Sequence, residues 1–416
     1  MKTAVLCADI GTSSLKAGFI GIDGAVFAFS RTKFDQTKGS NRWLQALATC
    51  TKSMAGALST PHPIELIAIS ISGNGPSLAS PEFSCLWDEK LCPEAEQQLQ
   101  NLAVQGTPNK SIFIPRLLHI KQQYPDQWEK TPIWYSVPEY LVYQLTGIPN
   151  TSLPEQRYES AYWTPESLEN AELTVTLPPF NKVGTPTGLL TEEGNNILGL
   201  PLKKEARIPV FCGGPDFTTA LIGTGTLHPG AICDRAGTSE GINVCTSKPL
   251  VVDGIRTLPS PMPTLWNGSV LIADSGSRFS HWKAKSCYSN ATYQDLIQIL
   301  SSQKNSEGYQ VMMSIAKDVS LAYEIIKKAV LASGEKLEDK MRVTGGQARN
   351  PLWMQIKADT LGINLEVPQC PDAELSGNAI IAYTGLHFFE TIKEGAEQIA
   401  KPSQIYVPRG TNYGCV

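Results

Sequence analysis

No sign of charge dominates this chain of 416 residues. Lys and Arg number 35 against 39 Asp and Glu, a formal net charge of −4. The basic footprint of a nucleic-acid or anionic-membrane binder is therefore missing. Long apolar runs are missing too, since nothing approaches the about 20 residues that cross a bilayer. The N-terminal run 3–8 is cut short by Asp9, so no signal peptide is expected. Histidine is scarce. The five residues at 62, 119, 228, 281 and 387 lie far apart without ligand spacing, which speaks against a zinc site built by the protein. The ten cysteines include no CxxC pair, and Cys7, Cys212, Cys233 and Cys245 sit inside apolar runs. That is the usage of small buried hydrophobes in a reducing cytoplasm, so no disulfide frame is expected and the expected location is cytoplasmic.

What is present is enough chain for two domains with real cores, at 42% hydrophobic and 18% charged residues. The rest is organised around residues 208–245. An apolar run ends in Gly213-Gly214-Pro215-Asp216, and a small-residue helical segment follows from Phe217, which Asp216 is also placed to cap. After the break at Pro229-Gly230 come two strand-like runs joined by Ala236-Gly237-Thr238-Ser239. Glycine lets backbone N–H groups approach phosphate oxygens, and the hydroxyls add donors. The same device stands at the N-terminus, where an apolar strand runs through Asp9 into Gly11-Thr12-Ser13 and on to a second strand near 17–22. Two strand–turn–strand units suggest a duplicated domain with a nucleotide between the halves, against two unrelated hairpins. The halves expected are 1–228 and 229–416.

Taken in order, the Asp23-Gly24 turn predicts a β-meander over 1–30. Asp9 reads either as a carboxylate holding Mg²⁺ through water or as a turn-stabilising residue. Lys16 would lie near the phosphates or pair with Asp9. A helix is predicted over 41–58 and a buried strand over 64–72, which ends in Ser72-Gly73-Asn74-Gly75-Pro76-Ser77. Loops at strand ends favour ligands, so this is a candidate substrate loop as well as a plain connection. A short strand is expected at 84–88, with Trp87 and Asp88 as a further pocket wall, and helices at 114–124 and 137–145. The stretch 148–188 reads as irregular. Its Tyr158, Glu159, Tyr162 and Trp163 form either a solvated excursion or a cover over a sugar site. Beyond 229, 248–267 is expected at the surface and 270–274 as a strand. A long amphipathic helix is predicted over 312–332, its stripe made of Met312, Ile315, Ala316, Val319, Ala322, Ile326, Ala329 and Val330. A strand at 341–344 then ends in Gly345-Gly346, Asn350-Pro351 opens the next helix, and a last helix is expected over 376–391.

In order along most of the chain, ADIGTSSLKAGF, IAISISGNG, CLWDEK, GGPDF, AGTSEG and above all VTGGQARNPLWMQIKADTLG with ELSGNAIIAYTGL resemble the FGGY carbohydrate kinases. The resemblance implies an α/β fold of two ribonuclease-H-like, actin-like ATPase domains with a nucleotide and sugar cleft between them. It implies an ATP-dependent sugar or polyol kinase. Gly11, Thr12, Ser13 and Lys16 would belong to the first phosphate loop, and Gly237 and Thr238 to the second. Gly345, Gly346 and Asn350 would flank adenine and ribose, and Asp216 falls on the general base. Asn74, Gly75, Asp216 and Phe217 would meet the substrate, while Asp9 would hold Mg²⁺ through water. The cofactors implied are ATP and Mg²⁺. The partner is a small sugar or polyol, with no nucleic acid or membrane, and a homodimer is left open. The residues of this chain depart from the family pattern around Gly214-Pro215-Asp216-Phe217 and in Ser72-Gly73-Asn74-Gly75-Pro76. The stretch 148–163 departs as well, and the second domain is shorter. A catalytically weak sugar- or nucleotide-binding regulator, or an ATP-driven motor of the same fold, are the rival readings.

Overall fold

The computed structural model describes residues 2–34, 39–59, 63–101, 111–203 and 205–410, so His62 and Cys415 lie outside the described residues. The chain forms two compact units, Met1–Gly223 with Glu374–Ile399, and Thr224–Ala373 with Ala400–Val416. The division falls just before the expected break. The halves are not contiguous, however, because Glu374–Ile399 returns to the first unit. Packing explains the return: at Gly377 a side chain would collide with the Thr219 carbonyl, and the Tyr383 hydroxyl donates to the Ile20 carbonyl at 3.1 Å.

The first unit is built on β1 (Lys2–Ile10), β2 (Ser14–Ile20) and β3 (Val26–Lys33), an antiparallel meander. Strand β4 (Ile64–Gly73) runs parallel to β1, and β5 (Pro209–Pro215) parallel to β4. The order is β3-β2-β1-β4-β5, with Gly188–Leu189 antiparallel at the edge. Strands covered on both faces read as continuous apolar runs, as β1 does. Helix α1 (Asn41–Met54) buries Trp43, Ala46, Leu47, Cys50 and Met54 in this core. Helix α2 (Asp216–Thr224) follows β5 directly.

A separate aromatic core lies within the same unit and includes Phe83, Phe113, Trp134, Tyr158 and Tyr162. It corrects the irregular reading of 148–188. That stretch folds into strands Thr151–Leu153 and Phe180–Lys182 and helices Tyr158–Tyr162 and Pro165–Asn170. Tyr158 and Tyr162 are fully buried. Aromatic clustering without periodicity had hidden elements this short. The strand expected at 84–88 is only Ser84–Cys85.

The second unit repeats the arrangement. Strands β6 (Ile232–Ala236), β7 (Glu240–Thr246) and β8 (Trp266–Ile272) are antiparallel. Strand β9 (Lys340–Thr344) runs parallel to β6, and β10 (Asn364–Pro368) parallel to β9. The order β8-β7-β6-β9-β10 is that of the first sheet, again closed by an antiparallel edge strand, Pro402–Tyr406. Helix α3 (Glu307–Ala332) buries all eight residues of the predicted stripe, and the larger side chains gain about 1.5–3 kcal/mol each by it. Helix α4 (Pro351–Leu361) is capped by Asn350, whose side-chain oxygen accepts from the Trp353 N–H at 3.1 Å. Three expectations need correction here. Residues 248–267 are not all surface, because Arg256–Pro259 pairs with β8 and buries Leu258. Ser275-Gly276-Ser277 opens an unexpected helix, Ser275–Lys285. The last helix stops at Gly385, and a separate helix, Ile392–Ile399, follows. No helix among the described residues is long and apolar enough to cross a membrane.

Candidate active site

In the first unit the predicted residues gather at the carboxyl ends of β1, β4 and β5, where open α/β sheets hold ligands. Asp9 lies opposite Lys16 on β2 and opposite Ser72 on β4. It is buried, and the Ser72 hydroxyl donates to its Oδ1 at 2.8 Å. Burial, then the Glu374 carboxylate, and further Asp216, push its carboxyl up to about 8, against the pull of Lys16. Lys16 itself stands 3.8 Å from Glu374. Glu374 was not foreseen. It opens helix α5 (Ala373–Gly385), a segment far along the chain that only the return of the chain brings beside Asp9.

The turn after β1 is closed by Gly11 N–H donating to Ser14 O at 2.9 Å, with Ser13 exposed and Thr12 half-buried. Thr12 Oγ1 accepts from the Trp87 indole N–H at 3.2 Å. From Trp87 the polar contacts continue to the proposed substrate loop. Its backbone N–H donates to Ser77 Oγ at 2.9 Å, and Ser77 Oγ donates to Asn74 Oδ1 at 3.0 Å. The Arg116 guanidinium holds the Trp87 carbonyl from behind. Trp87 is 38% exposed, an indole face held beside both loops. A side chain at Gly75 would come into van der Waals contact with Pro215, the residue before Asp216. Asp216 is half-buried and is the first residue of α2, which starts one position earlier than its sequence pattern implies. Phe217, half-buried, has its ring 6.4 Å from Tyr158.

The second unit holds Gly237 and Thr238, both exposed in the turn between β6 and β7. Gly237 N–H donates to Ser239 O at 3.0 Å, and Ser277 N–H donates to Thr238 O at 3.0 Å, which ties the turn to helix Ser275–Lys285. Gly345 is brought against this hairpin. Its φ of +92° suits glycine, and any side chain there would strike the Ala236 carbonyl. Gly346 beside it is exposed bare backbone. The oxygen of Asn350 is taken by the helix cap described above.

Beneath the hairpin lies a buried ion triad that the sequence reading missed. Lys357 of α4 is fully buried and donates to Asp234 Oδ2 of β6 at 2.8 Å and to Glu240 Oε1 of β7. Glu240 also receives Ser275 Oγ and, at 3.1 Å, Gln347 Nε2. Burial, then Glu240, raise the Asp234 carboxyl well above the carboxylate range. Burial works the same way on Glu240, but Lys357 and its hydrogen bonds outweigh it and hold that carboxyl low. The Lys357 ammonium, shared between Asp234 and Glu240, therefore braces both stems of the turn. The signal available was Asp234 and Glu240 inside strands on either side of Gly237-Thr238-Ser239.

The expectation about zinc meets one test in the first unit. Cys85, Glu89 and His119 offer ligand atoms within 4.8 Å of one another. His119 Nδ1, however, accepts from the Cys92 N–H at 3.0 Å, which places the ring proton on Nε2. Arg116 stands 3.8 Å from Cys85 Sγ and donates to the Glu89 carbonyl at 3.0 Å. A resident cation and a protonated imidazole nitrogen make this a hydrogen-bonded network rather than a metal centre.

Two units of one ribonuclease-H-like topology, each presenting a glycine-hydroxyl turn after its first strand, define a protein of the two-domain actin-like ATPase fold. The model of the FGGY family of carbohydrate kinases, C-terminal domain, matches residues 288–386. The chain is 20% identical over 475 residues to a xylulose kinase of Staphylococcus epidermidis, covering 99% of this chain and 94% of that one. It is 25% identical over 350 residues to an autoinducer-2 kinase of Yersinia enterocolitica, covering 71% and 65%. The ligand-bound xylulose kinase of Lactobacillus acidophilus superposes with a TM-score of 0.77 at 16% identity, covering 98% of this chain and 94% of that one. Residues 288–386 thus match the C-terminal domain of the FGGY family, and over nearly its whole length the chain is similar to a xylulose kinase.

Proposed function

We propose that the chain transfers the γ-phosphate of ATP to a hydroxyl of a ketose or polyol, with Asp216 as the base. The observation that carries this reading is the place of Asp216. It stands at the carboxyl end of β5, half-buried, beside the Asn74–Gly75 loop and near enough to Asp9 to raise that group's carboxyl. Phosphoryl transfer asks for positioning, charge neutralisation and a group to accept the alcohol's proton as the new bond forms. In this reading Asp216 takes the proton, the Asn74 loop and the faces of Trp87 and Phe217 seat the acceptor, and the Gly11–Thr12–Ser13 turn with Lys16 meets the phosphates. Gly237 and Thr238 supply the second set of phosphate donors. Gly345 and Gly346 offer bare backbone to the adenine, with Asn350 at the ribose.

The residues present fit Mg²⁺. Asp9, Asp216 and Glu374 are hard oxygen donors, and after burial the charges of Glu374 and Asp216 add to the rise of the Asp9 carboxyl. In this reading Asp9 holds Mg²⁺ through water. When bound, Mg²⁺ would neutralise phosphate charge and orient the transferred group.

An ADP-release assay tests the proposal over ketoses and polyols, xylulose among them, and over autoinducer-2 and the sugar acid gluconate, after which an autoinducer-2 kinase and a gluconate kinase among the similar proteins are named. Sugar-dependent turnover is expected, falling about 10²–10⁴-fold in Asp216→Asn with ATP binding retained. Sugar binding without turnover on any acceptor, or sugar-independent hydrolysis, would defeat it.

A further inference from the structure

Helix α5 carries one side chain that reaches the ends of the central strands. Asn378 is fully buried, and its three hydrogen bonds leave no freedom of orientation. Nδ2 donates to the Ala8 carbonyl at 3.0 Å and to Ser72 Oγ at 2.8 Å, while Oδ1 accepts from Ser70 Oγ at 2.8 Å. A backbone carbonyl only accepts, so the Ala8 contact decides which end of the amide is nitrogen. The second N–H is then aimed at Ser72 Oγ. That hydroxyl, already accepting, is left to donate, and its neighbour is Asp9 Oδ1 at 2.8 Å. The polarity of the relay thus runs one way, from the Asn378 amide through Ser72 to Asp9. The fit around it is close. Position 213 on β5 must be glycine because a Cβ would strike Asn378 Oδ1, and Gly377 presses on the Thr219 carbonyl of α2.

We propose that Asn378 is a positioning residue for Asp9. By forcing the Ser72 hydroxyl to donate to Oδ1, it fixes the plane of the Asp9 carboxylate and keeps Oδ2 for the magnesium–phosphate side. The inference rests on the role given to Asp9 above. Asn378 and Ser72 are both fully buried, so in this account each acts through Asp9. Groups that support a ligating carboxylate in this way carry about 10- to 100-fold of metal affinity.

The test is calorimetric titration of the full chain with ADP, with and without Mg²⁺ and without sugar, so that no turnover enters. In the wild type Mg²⁺ is expected to tighten ADP binding. In Asn378→Ala that enhancement should fall roughly ten-fold while Mg²⁺-free ADP affinity stays unchanged, a split that general loosening of the fold does not produce. Ser72→Ala, which deletes a single oxygen, should lose the same enhancement, and the double variant should lose no more than either single one. Should Asn378→Ala fail to fold, Ser72→Ala alone decides. Wild-type Mg²⁺ enhancement in Ser72→Ala, or losses that multiply in the double variant, would overturn the relay while leaving the kinase reading in place. Absence of Mg²⁺ enhancement in the wild type would overturn both.

Discussion

Lys357→Met tests the ion triad under the second turn. The substitution keeps the length of the side chain and removes its charge from a site where lysine, Asp234 and Glu240 are all fully buried. The Glu240 carboxylate then keeps Ser275 and Gln347 as donors but loses its counter-ion. Breaking a buried ion pair from one side costs about 3–5 kcal/mol. For a unit of this size that lowers Tm by roughly 6–20 °C. The sign of the pH dependence follows from the carboxyls. Asp234 already binds its proton more tightly folded than unfolded, so its contribution falls as pH rises above the unfolded value near 4. Without the lysine both carboxyls shift further up, the folded state binds more protons still, and the deficit of Lys357→Met should widen from pH 5 to pH 8. Urea unfolding at several pH values, followed by circular dichroism, measures this. Adding Asp234→Asn and Glu240→Gln to Lys357→Met should recover much of the loss, since a neutral triad leaves no buried charge unpaired. A deficit under about 1 kcal/mol at pH 7, or one that shrinks as pH rises, would refute the account.

Three other substitutions bear on the rest of the molecule. Asp9→Asn is expected to abolish Mg²⁺-dependent turnover and yet raise Tm by a few degrees. The raised Asp9 carboxyl makes the wild type lose stability as pH climbs from about 4 towards about 8, so the gain should be largest at pH 8 and small at pH 5 in thermal melts. Gly345→Ala should destabilise the second unit by about 1–3 kcal/mol in denaturant unfolding, because φ is +92° and the new Cβ meets the Ala236 carbonyl. Tyr158→Ala should cost about 3–5 kcal/mol by emptying the aromatic core, and a cost near zero would return that stretch to the surface.

Much was legible without coordinates where a local rule sufficed. The stripe of α3 follows from the 3.6-residue period, and all of its predicted members are buried. The turn at Gly11-Thr12-Ser13, the turn at Gly237-Thr238-Ser239 and the Asn350 cap are short-range patterns whose chemistry is set within four or five residues. Residues 148–188 were misread for the converse reason. Their helices and strands are too short to show a period and are held by ring packing, such as Tyr158 with Tyr162 and Trp163 with Phe180.

The amino-acid sequence alone determined that two similar strand–turn–strand units exist, that a carboxylate stands at the end of β1 and another after β5, and that neither sign of charge dominates. Tertiary structure decided that Glu374–Ile399 belongs with the first unit, and with it everything that surrounds Asp9 from that segment: the Glu374 charge, the Asn378 amide, and the direction of the Ser72 hydroxyl between them. It likewise decided that Lys357 closes an ion triad with Asp234 and Glu240. Hydrogen bonds and charges act over a few ångströms of space, and more than a hundred residues of chain separate Lys357 from both of its carboxylates and Asn378 from Ser72. No spacing rule along the chain encodes such a meeting.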